Sequence, residues 1–359
     1  MTPDIARVFE VRRDDPTHDV RIVDEAVRPP ADGEVLLAVE RFGLASNNLT
    51  YALLGDQLGH WAPFPASSAG WGRVPAWGHA VVVDGDPGLA APSTRWSGYL
   101  PMATRFSVRA ERHGDRLRAV APERAGMLPL YRDLSPVAGA DHDRSAVEVA
   151  MLPGVAAALL DDLVAGIGIG RVVVSSATSK TALTTCLLLS RRGIDVVGVT
   201  SAPHVEAAGK AGVYREVVAY DDVDTIAASS DVLYLDVAGR PSVTAAVHSR
   251  LGPSLKRSIA VGGSHRAARP ASERPPATPV GPPIERFNTG DRRVHLVAEF
   301  GEQVVADLED RARKSVVAWA STHFRVPVST GLGSTAAVWD RIVRGDVPPL
   351  TAPVVDLVE

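Results

Sequence analysis

The sequence has a single cysteine among its 359 residues, so no disulfide can form within the chain. Cys186 lies in an apolar helical pattern, where a thiol acts as a small packing hydrophobe. A dominant charge is also missing. Lys and Arg number 38 against 42 Asp and Glu, a formal charge of -4, which gives no general attraction to nucleic acid or to an anionic membrane. No stretch approaches the roughly 18 apolar residues of a membrane-spanning helix. The opening residues, MTPDIARVFEVRRDD, are charged throughout, unlike a secretory leader, and cytoplasmic residence is the expectation. Aromatic residues are only 5% of the chain. Four of the six tryptophans, Trp61, Trp71, Trp77 and Trp96, nonetheless fall in one short stretch. They read either as a wall beside a ligand or as the filling of a small barrel.

What is present is an ordinary globular composition, 45% hydrophobic and 22% charged, with length enough for two domains. The first 110 residues carry valine-rich runs between glycine and aspartate punctuation, GEVLLAVERFGLA (33–45) and WGHAVVVDGD (77–86), and read as strands. Residues 111–146 are polar, charged and proline-containing, and read as a connecting segment. From Val147 the pattern turns helical, with a kink expected at Pro153. Strand and helix patterns then alternate: VVVSS (172–176), a helix over 180–192, VVGVT (196–200), a helix near 203–211, REVVAY (215–220), DVLYLDVAG (231–239), a helix over 241–250, and RSIAVGG (257–263). Such alternation predicts a parallel sheet with helices on both faces. Six prolines between Arg269 and Pro283 read as a loop. Beyond it lie VHLVAEF (294–300) and a long amphipathic segment, Glu302 to His323.

Glycine is missing where it is most expected. VVVSSATSKTALTTCLLLSRRG reads as strand, tight turn and helix, the opening of a nucleotide-binding unit, yet no G-x-G-x-x-G is present. Ser179 and Lys180 stand where glycines would let the backbone approach a pyrophosphate, and Ala182 replaces the glycine that packs helix on strand. The hydroxyls of Ser176, Thr178, Ser179 and Thr181, with the Lys180 ammonium, could donate to phosphate oxygens at the helix N-terminus. The competing reading is a Ser/Thr cap on a structural helix.

The order of parts resembles the medium-chain dehydrogenase/reductase superfamily, in its zinc-free quinone-oxidoreductase and enoyl-reductase branch. GEVLLAVERFGLASNNLTYALLGD is similar to that family's first strands and its asparagine-bearing helix. VPAWGHAVVVDGD is similar to its Gly-His-Glu segment, and LYLDVAG and SIAVGGS to its later cofactor-facing strands. More narrowly, NNLTYALLGD, WGRVPAWG, GYLPMAT and SSATSKTA together resemble the DUF2855 subfamily. The resemblance implies a GroES-like β-barrel over residues 1–146, completed by 291–359, and a Rossmann doubly wound parallel sheet over 147–290. It also implies a substrate cleft between the domains and a homodimer.

Within that frame, Asn47, Asn48 and Tyr51 correspond to residues that face the nicotinamide, and the Tyr51 phenol could protonate or orient a substrate carbonyl. A tyrosine that packs its ring and exposes its hydroxyl is the alternative. The strand ending at Thr200 lacks the acid that grips the ribose hydroxyls in NAD-specific domains. Thr200, Ser201 and His204 there favour NADP(H) over NAD(H), and a plain helix cap is the other reading. Val237 to Gly239 are expected along the cofactor, and the tip of Gly262, Gly263, Ser264 and His265 is expected to line the nicotinamide pocket; Arg266 reads either as a phosphate contact or as a solvated loop arginine. Trp61 and Trp77 are expected beside the substrate. Asp236 reads as a local hydrogen-bonding residue. His79 occupies the position of a zinc ligand, but Ala80 follows it and the needed cysteine is missing, so a barrel histidine and no metal are expected. These readings add up to an NADPH-dependent, zinc-independent reductase of an enone, quinone or enoyl thioester. A redox-silent lyase, cyclase or isomerase on the same scaffold, or a non-catalytic ligand-binding protein, are the alternatives.

Overall fold

The computed structural model describes residues 4–137, 142–151, 155–227, 229–261 and 280–358. They form two compact units, the first comprising 1–152, 325–347 and 351–359, the second 153–324 and 348–350.

Unit 1 opens with β1 (Ile5–Arg12), β2 (Val20–Ala26), β3 (Glu34–Gly43), α1 (Ser46–Leu53), α2 (Gly55–Leu58), β4 (Trp71–Gly72), β5 (Pro75–Gly85) and β6 (Arg95–Pro101). It continues with β7 (Arg105–His113), β8 (Arg116–Ala119), β9 (Asp133–Pro136) and α3 (His142–Met151). Strands β3, β5, β6, β9, β8 and β7 pair in that order, and β7 pairs back onto β3, closing a six-stranded barrel. The segment 111–146 is therefore not a connector, because β8 and β9 complete the barrel wall. On β8 the pattern is Arg-Leu-Arg-Ala with only Leu117 and Ala119 buried. Leu117 faces Leu134 across the pair, while Arg118 grips Asp133 through two bonds of 2.7 and 2.8 Å. Outward charges on a half-buried strand made a wall look like a linker.

Unit 2 contains α4 (Val155–Ile167), β10 (Arg171–Ser175), α5 (Lys180–Arg191), β11 (Asp195–Thr200), α6 (Val205–Lys210), β12 (Glu216–Ala219), β13 (Val232–Asp236), α7 (Pro241–Leu251), β14 (Leu255–Ala260), β15 (Ile284–Arg286), α8 (Thr289–Phe300) and α9 (Glu302–His323). Its strands run parallel in the order β12-β11-β10-β13-β14-β15. Counted from β10, this is the 3-2-1-4-5-6 order of dinucleotide-binding sheets. The inner strands are buried on both faces, which is why they read as unbroken Val, Ile and Leu runs. VHLVAEF forms the end of α8. Helices α8 and α9 pack with α4 and α5 of this unit, and the Trp319 indole donates to Ala211 O at 3.2 Å. Pro153 and residues 262–279 lie outside the described residues.

The chain then re-enters unit 1 with β16 (Val328–Thr330), α10 (Thr335–Arg344) and β17 (Val354–Asp356). Strand β17 lies antiparallel to β3, and α10 buries Val338, Trp339 and Ile342 in the barrel core. The fold is a GroES-like barrel and a Rossmann-like sheet. No helix among the described residues is long and apolar enough to cross a membrane.

Candidate functional site

In unit 2 the chain leaves β10 at Ser175 and enters α5 at Lys180. Ser176 takes φ +56°, the left-handed conformation that L-residues avoid and glycine tolerates. The first turn residue thus adopts a glycine-type conformation without being glycine. The Tyr220 phenol interacts with Ser176, and the Arg240 guanidinium lies 5.4 Å from the centre of the Tyr220 ring. Ser179 caps α5, its hydroxyl accepting from Ala182 N at 3.3 Å. On the β11 side, a side chain on Gly198 would stand only 2.9 Å from the Ala177 Cβ. The Tyr214 hydroxyl donates to Ala177 O at 2.7 Å, pinning the loop. Thr178, Lys180 and Thr181 are half-buried, and desolvation pushes the Lys180 ammonium down to about 8.

The strand ends beside this loop are held by a buried carboxylate. The Ser175 hydroxyl donates to Asp236 Oδ1 at 2.8 Å and accepts from the backbone N–H of Val237 and Ala238, both at 3.0 Å. Asp236 also accepts from Gly239 N at 2.9 Å and from the Thr244 hydroxyl at 2.8 Å. This clamp fixes the Val237–Gly239 tip and agrees with a local hydrogen-bonding role for Asp236. Thr200 is buried at the end of β11. Ser201 Oγ lies 3.1 Å from His204 Nδ1. Gly262, Gly263, Ser264, His265 and Arg266 lie outside the described residues.

The second cluster lies in unit 1. Tyr51, one helical turn after Asn47 on α1, receives a hydrogen bond from Asn47 Nδ2 at 3.1 Å and another from the Trp77 indole at 3.3 Å. The Tyr131 hydroxyl also interacts with it. His60 lies 4.3 Å from the Tyr51 ring centre, Tyr99 meets Tyr51 edge-on at 5.6 Å, and Tyr99 Oη is 2.7 Å from His60 Nδ1. Phe64, Phe106, Met127 and Leu130 complete the apolar surround. Arg124 is buried against Phe64 at 4.4 Å and reaches the carbonyls of Pro63 and Tyr131 at 3.4 and 3.5 Å. Burial raises the Tyr51, Tyr99 and Tyr131 phenols above their usual values. It lowers His60 to about 4 and Arg124 to about 10. At neutral pH the cluster thus holds three phenols, a neutral imidazole and one guanidinium, a surface suited to donating hydrogen bonds and a proton.

Asn47, Tyr51 and Trp77 come together as neighbours, but two other expected residues do not join them. Asn48 is buried, with Oδ1 accepting from Ala45 N at 2.8 Å and Nδ2 donating to Pro75 O at 2.8 Å. Its amide ties α1 to β5. Trp61 belongs to the barrel core, wedged where Gly55 and Gly72 leave no room for a side chain. Trp71 and Trp96 likewise pack under arginines, Arg21 at 3.8 Å and Arg112 at 5.8 Å. His79 is buried on β5, opposite Arg41 and Ser97. Among the described residues no three His, Cys, Asp or Glu side chains are grouped to hold a metal. His60, Tyr99, Tyr131 and Arg124 escaped sequence reasoning. A usable signal was the scarcity of tyrosine: of six in the chain, all three in unit 1 meet here.

The chain matches the family described as "Protein of unknown function (DUF2855)" over residues 42–348. No curated protein matches it by sequence. By fold it is similar to CurA from Vibrio vulnificus in complex with NADPH, at 14% identity and a TM-score of 0.65, with 98% of this chain and 99% of that one covered. It is also similar to the quinone oxidoreductase of Thermus thermophilus, solved alone and with NADPH, at 16% identity and a TM-score of 0.58, covering 98% and 100%. A third is a thermostable alcohol dehydrogenase from Pyrobaculum aerophilum, at 15% identity and a TM-score of 0.58, covering 99% and 100%.

Proposed function

The chain belongs to the DUF2855 family, and from that premise we propose that it is a zinc-independent, NADP(H)-dependent reductase of an activated alkene: an enone, a quinone or an enoyl thioester. The reading rests chiefly on the turn between β10 and α5. Ser176 is held in the left-handed conformation that glycine supplies in dinucleotide loops, at the first strand of a sheet in the 3-2-1-4-5-6 order. A turn kept in that shape at an energetic cost, without the residue that makes it cheap, argues for a retained binding role. The NADPH in similar folds points the same way.

The residues present fit this cofactor. The N-terminal turn of α5 offers backbone N–H groups and a positive dipole end to phosphates, beside Ser176, Thr178, Ser179, Thr181 and Lys180. The β11 tip carries Thr200, Ser201 and His204 and no carboxylate, so a 2′-phosphate meets no repulsion there. When bound there, NADPH would supply a hydride for the alkene's β-carbon. Tyr51 orients the carbonyl by hydrogen bonding and releases its proton to the α-carbon or the oxygen. A proton on the α-carbon saturates the double bond directly, and a proton on the oxygen gives an enol that reaches the same product by tautomerising. A redox-silent member of the same fold is the second reading, favoured by the glycine-free loop and by the engagement of the Ser179 hydroxyl in capping.

Titrating the protein with NADPH separates the two. Binding should enhance nicotinamide fluorescence and raise the Tm; no response to either redox form of NADP or NAD would defeat the reductase reading. Lys180→Ala should weaken NADPH binding by roughly tenfold, the size of one charge-assisted contact. With its ammonium titrating near 8, wild-type affinity should fall as pH rises through about 8. Tyr51→Phe should retain NADPH binding and lose turnover of enones; full turnover would remove Tyr51 as proton donor.

A further inference from the structure

Resting on the reading of Tyr51 as a proton donor, we propose that Trp77 and Asn47 are positioning residues that hold the Tyr51 oxygen by its lone pairs, aim its proton at the ligand, and stabilise the phenolate left behind. The indole nitrogen can only donate, so at 3.3 Å the direction of the Trp77–Tyr51 bond is fixed by chemistry. Asn47 approaches the same oxygen through Nδ2 at 3.1 Å, from one turn earlier on α1. Two N–H groups on one phenol oxygen engage both acceptor sites, so the remaining O–H is left for the neighbouring Tyr131 hydroxyl or for a ligand that takes its place. The two donors come from different elements, helix α1 and barrel strand β5, so the phenol is fixed in space as well as in protonation.

Of the ionisable groups facing Tyr51, the Tyr131 hydroxyl shares this work, acting on the same oxygen as Trp77 and Asn47. His60, tilted against its ring, is neutral, Tyr99 and Tyr131 are protonated phenols, and Arg124 lies against Phe64 and beside Tyr99. None of these groups is anionic at neutral pH. When the proton leaves for the ligand, the O–H electron pair stays on the Tyr51 oxygen. That oxygen then carries a negative charge, faced by two N–H dipoles already in place. Preorganised donors of this kind stabilise charge without rearrangement. Solvent returns a proton to the phenolate afterwards. Trp77 therefore acts through its N–H, whereas a ring that only filled the barrel would act through its volume.

Difluorotyrosine placed at position 51 of the full chain ionises closer to neutral pH and reports its own titration by fluorine NMR, with no cofactor or substrate present. Trp77→Phe, which keeps a ring and removes the N–H, should raise the titration midpoint by about one pH unit, a tenfold drop in acidity. Asn47→Ala should raise it as well, and Asn47→Asp should raise it further, because a carboxylate repels the phenolate. Coincident midpoints in wild type, Trp77→Phe and Asn47→Ala would overturn the proposal. Where Trp77→Phe does not fold, the order of the two Asn47 variants against wild type decides. Loss of the reductase reading by failed NADPH binding would leave this titration untouched, and the converse also holds.

Discussion

A histidine ring set against Tyr51, with Nδ1 2.7 Å from the Tyr99 hydroxyl, gives the aromatic cluster a limit in acid. Desolvation lowers His60 from 6.5 to about 4. Between those values the unfolded chain binds the proton and the folded chain does not, so stability falls as pH drops from 6.5 towards 4. The contribution is complete above 6.5 and amounts to roughly 3 kcal/mol lost by the time the pH reaches the folded value. Urea unfolding at neutral pH and again near that value checks this: wild type should lose about that much more than His60→Gln, which has no proton to gain. Equal losses would place the acid sensitivity on another group. Arg124, in the same cluster, keeps its charge at neutral pH, because burial lowers it only to about 10. The cluster's polarity in acid therefore changes through His60.

At the scale of elements, β10 and β13 are joined at their carboxyl ends by Ser175, Asp236 and Thr244. Asp236→Ala should cost about 2–4 kcal/mol, since it removes the acceptor from two buried hydroxyls. Asp236→Asn, which keeps the shape and one acceptor oxygen, should cost less. Urea midpoints rank the three proteins, and an Asn variant as unstable as the Ala variant would show that shape contributes nothing. Tightly packed elements of this kind were the most legible in the sequence. VVVSS and VVGVT announce buried parallel strands because both faces are covered, and the helix between them is followed by a glycine. The barrel was legible only in part. Glu34–Gly43 and Pro75–Gly85 carry valine runs, but β8 and β9 are short, and their charged pair, Arg118 and Asp133, masks the apolar positions beside it. The site was least legible, because Tyr51, His60, Tyr99 and Tyr131 belong to four different stretches. Only barrel closure unites them. The bend at Ser176 was hidden for a related reason: tertiary hydrogen bonds beside it, such as that from the Tyr214 hydroxyl to Ala177 O, hold a conformation its own side chain disfavours.

Across the whole molecule, the barrel core is built from both ends of the chain. Phe9 meets Trp339 at 6.1 Å, and the Trp339 indole donates to Pro16 O at 3.0 Å. Arg41 pairs with Asp356 at 2.9 Å in buried surroundings, 315 positions apart in sequence. Val354 and Val355 are fully buried where β17 runs along β3. Closing contacts over such separations is entropically costly until both partners are present. The parallel sheet, by contrast, draws its core from one continuous stretch, 153–324, apart from three residues. A chain ending at Phe324 therefore loses the Trp339 side chain, worth about 3–5 kcal/mol by itself, together with the β17 pairing. That is a large part of the roughly 5–15 kcal/mol that typically holds a domain together. Amide hydrogen exchange on the truncated chain should show β3 and β5 exchanging freely while β10, β11 and β13 stay protected. Retained protection of β3 would show that the barrel folds without the C-terminal part of its core, and the dependence on chain closure would be refuted.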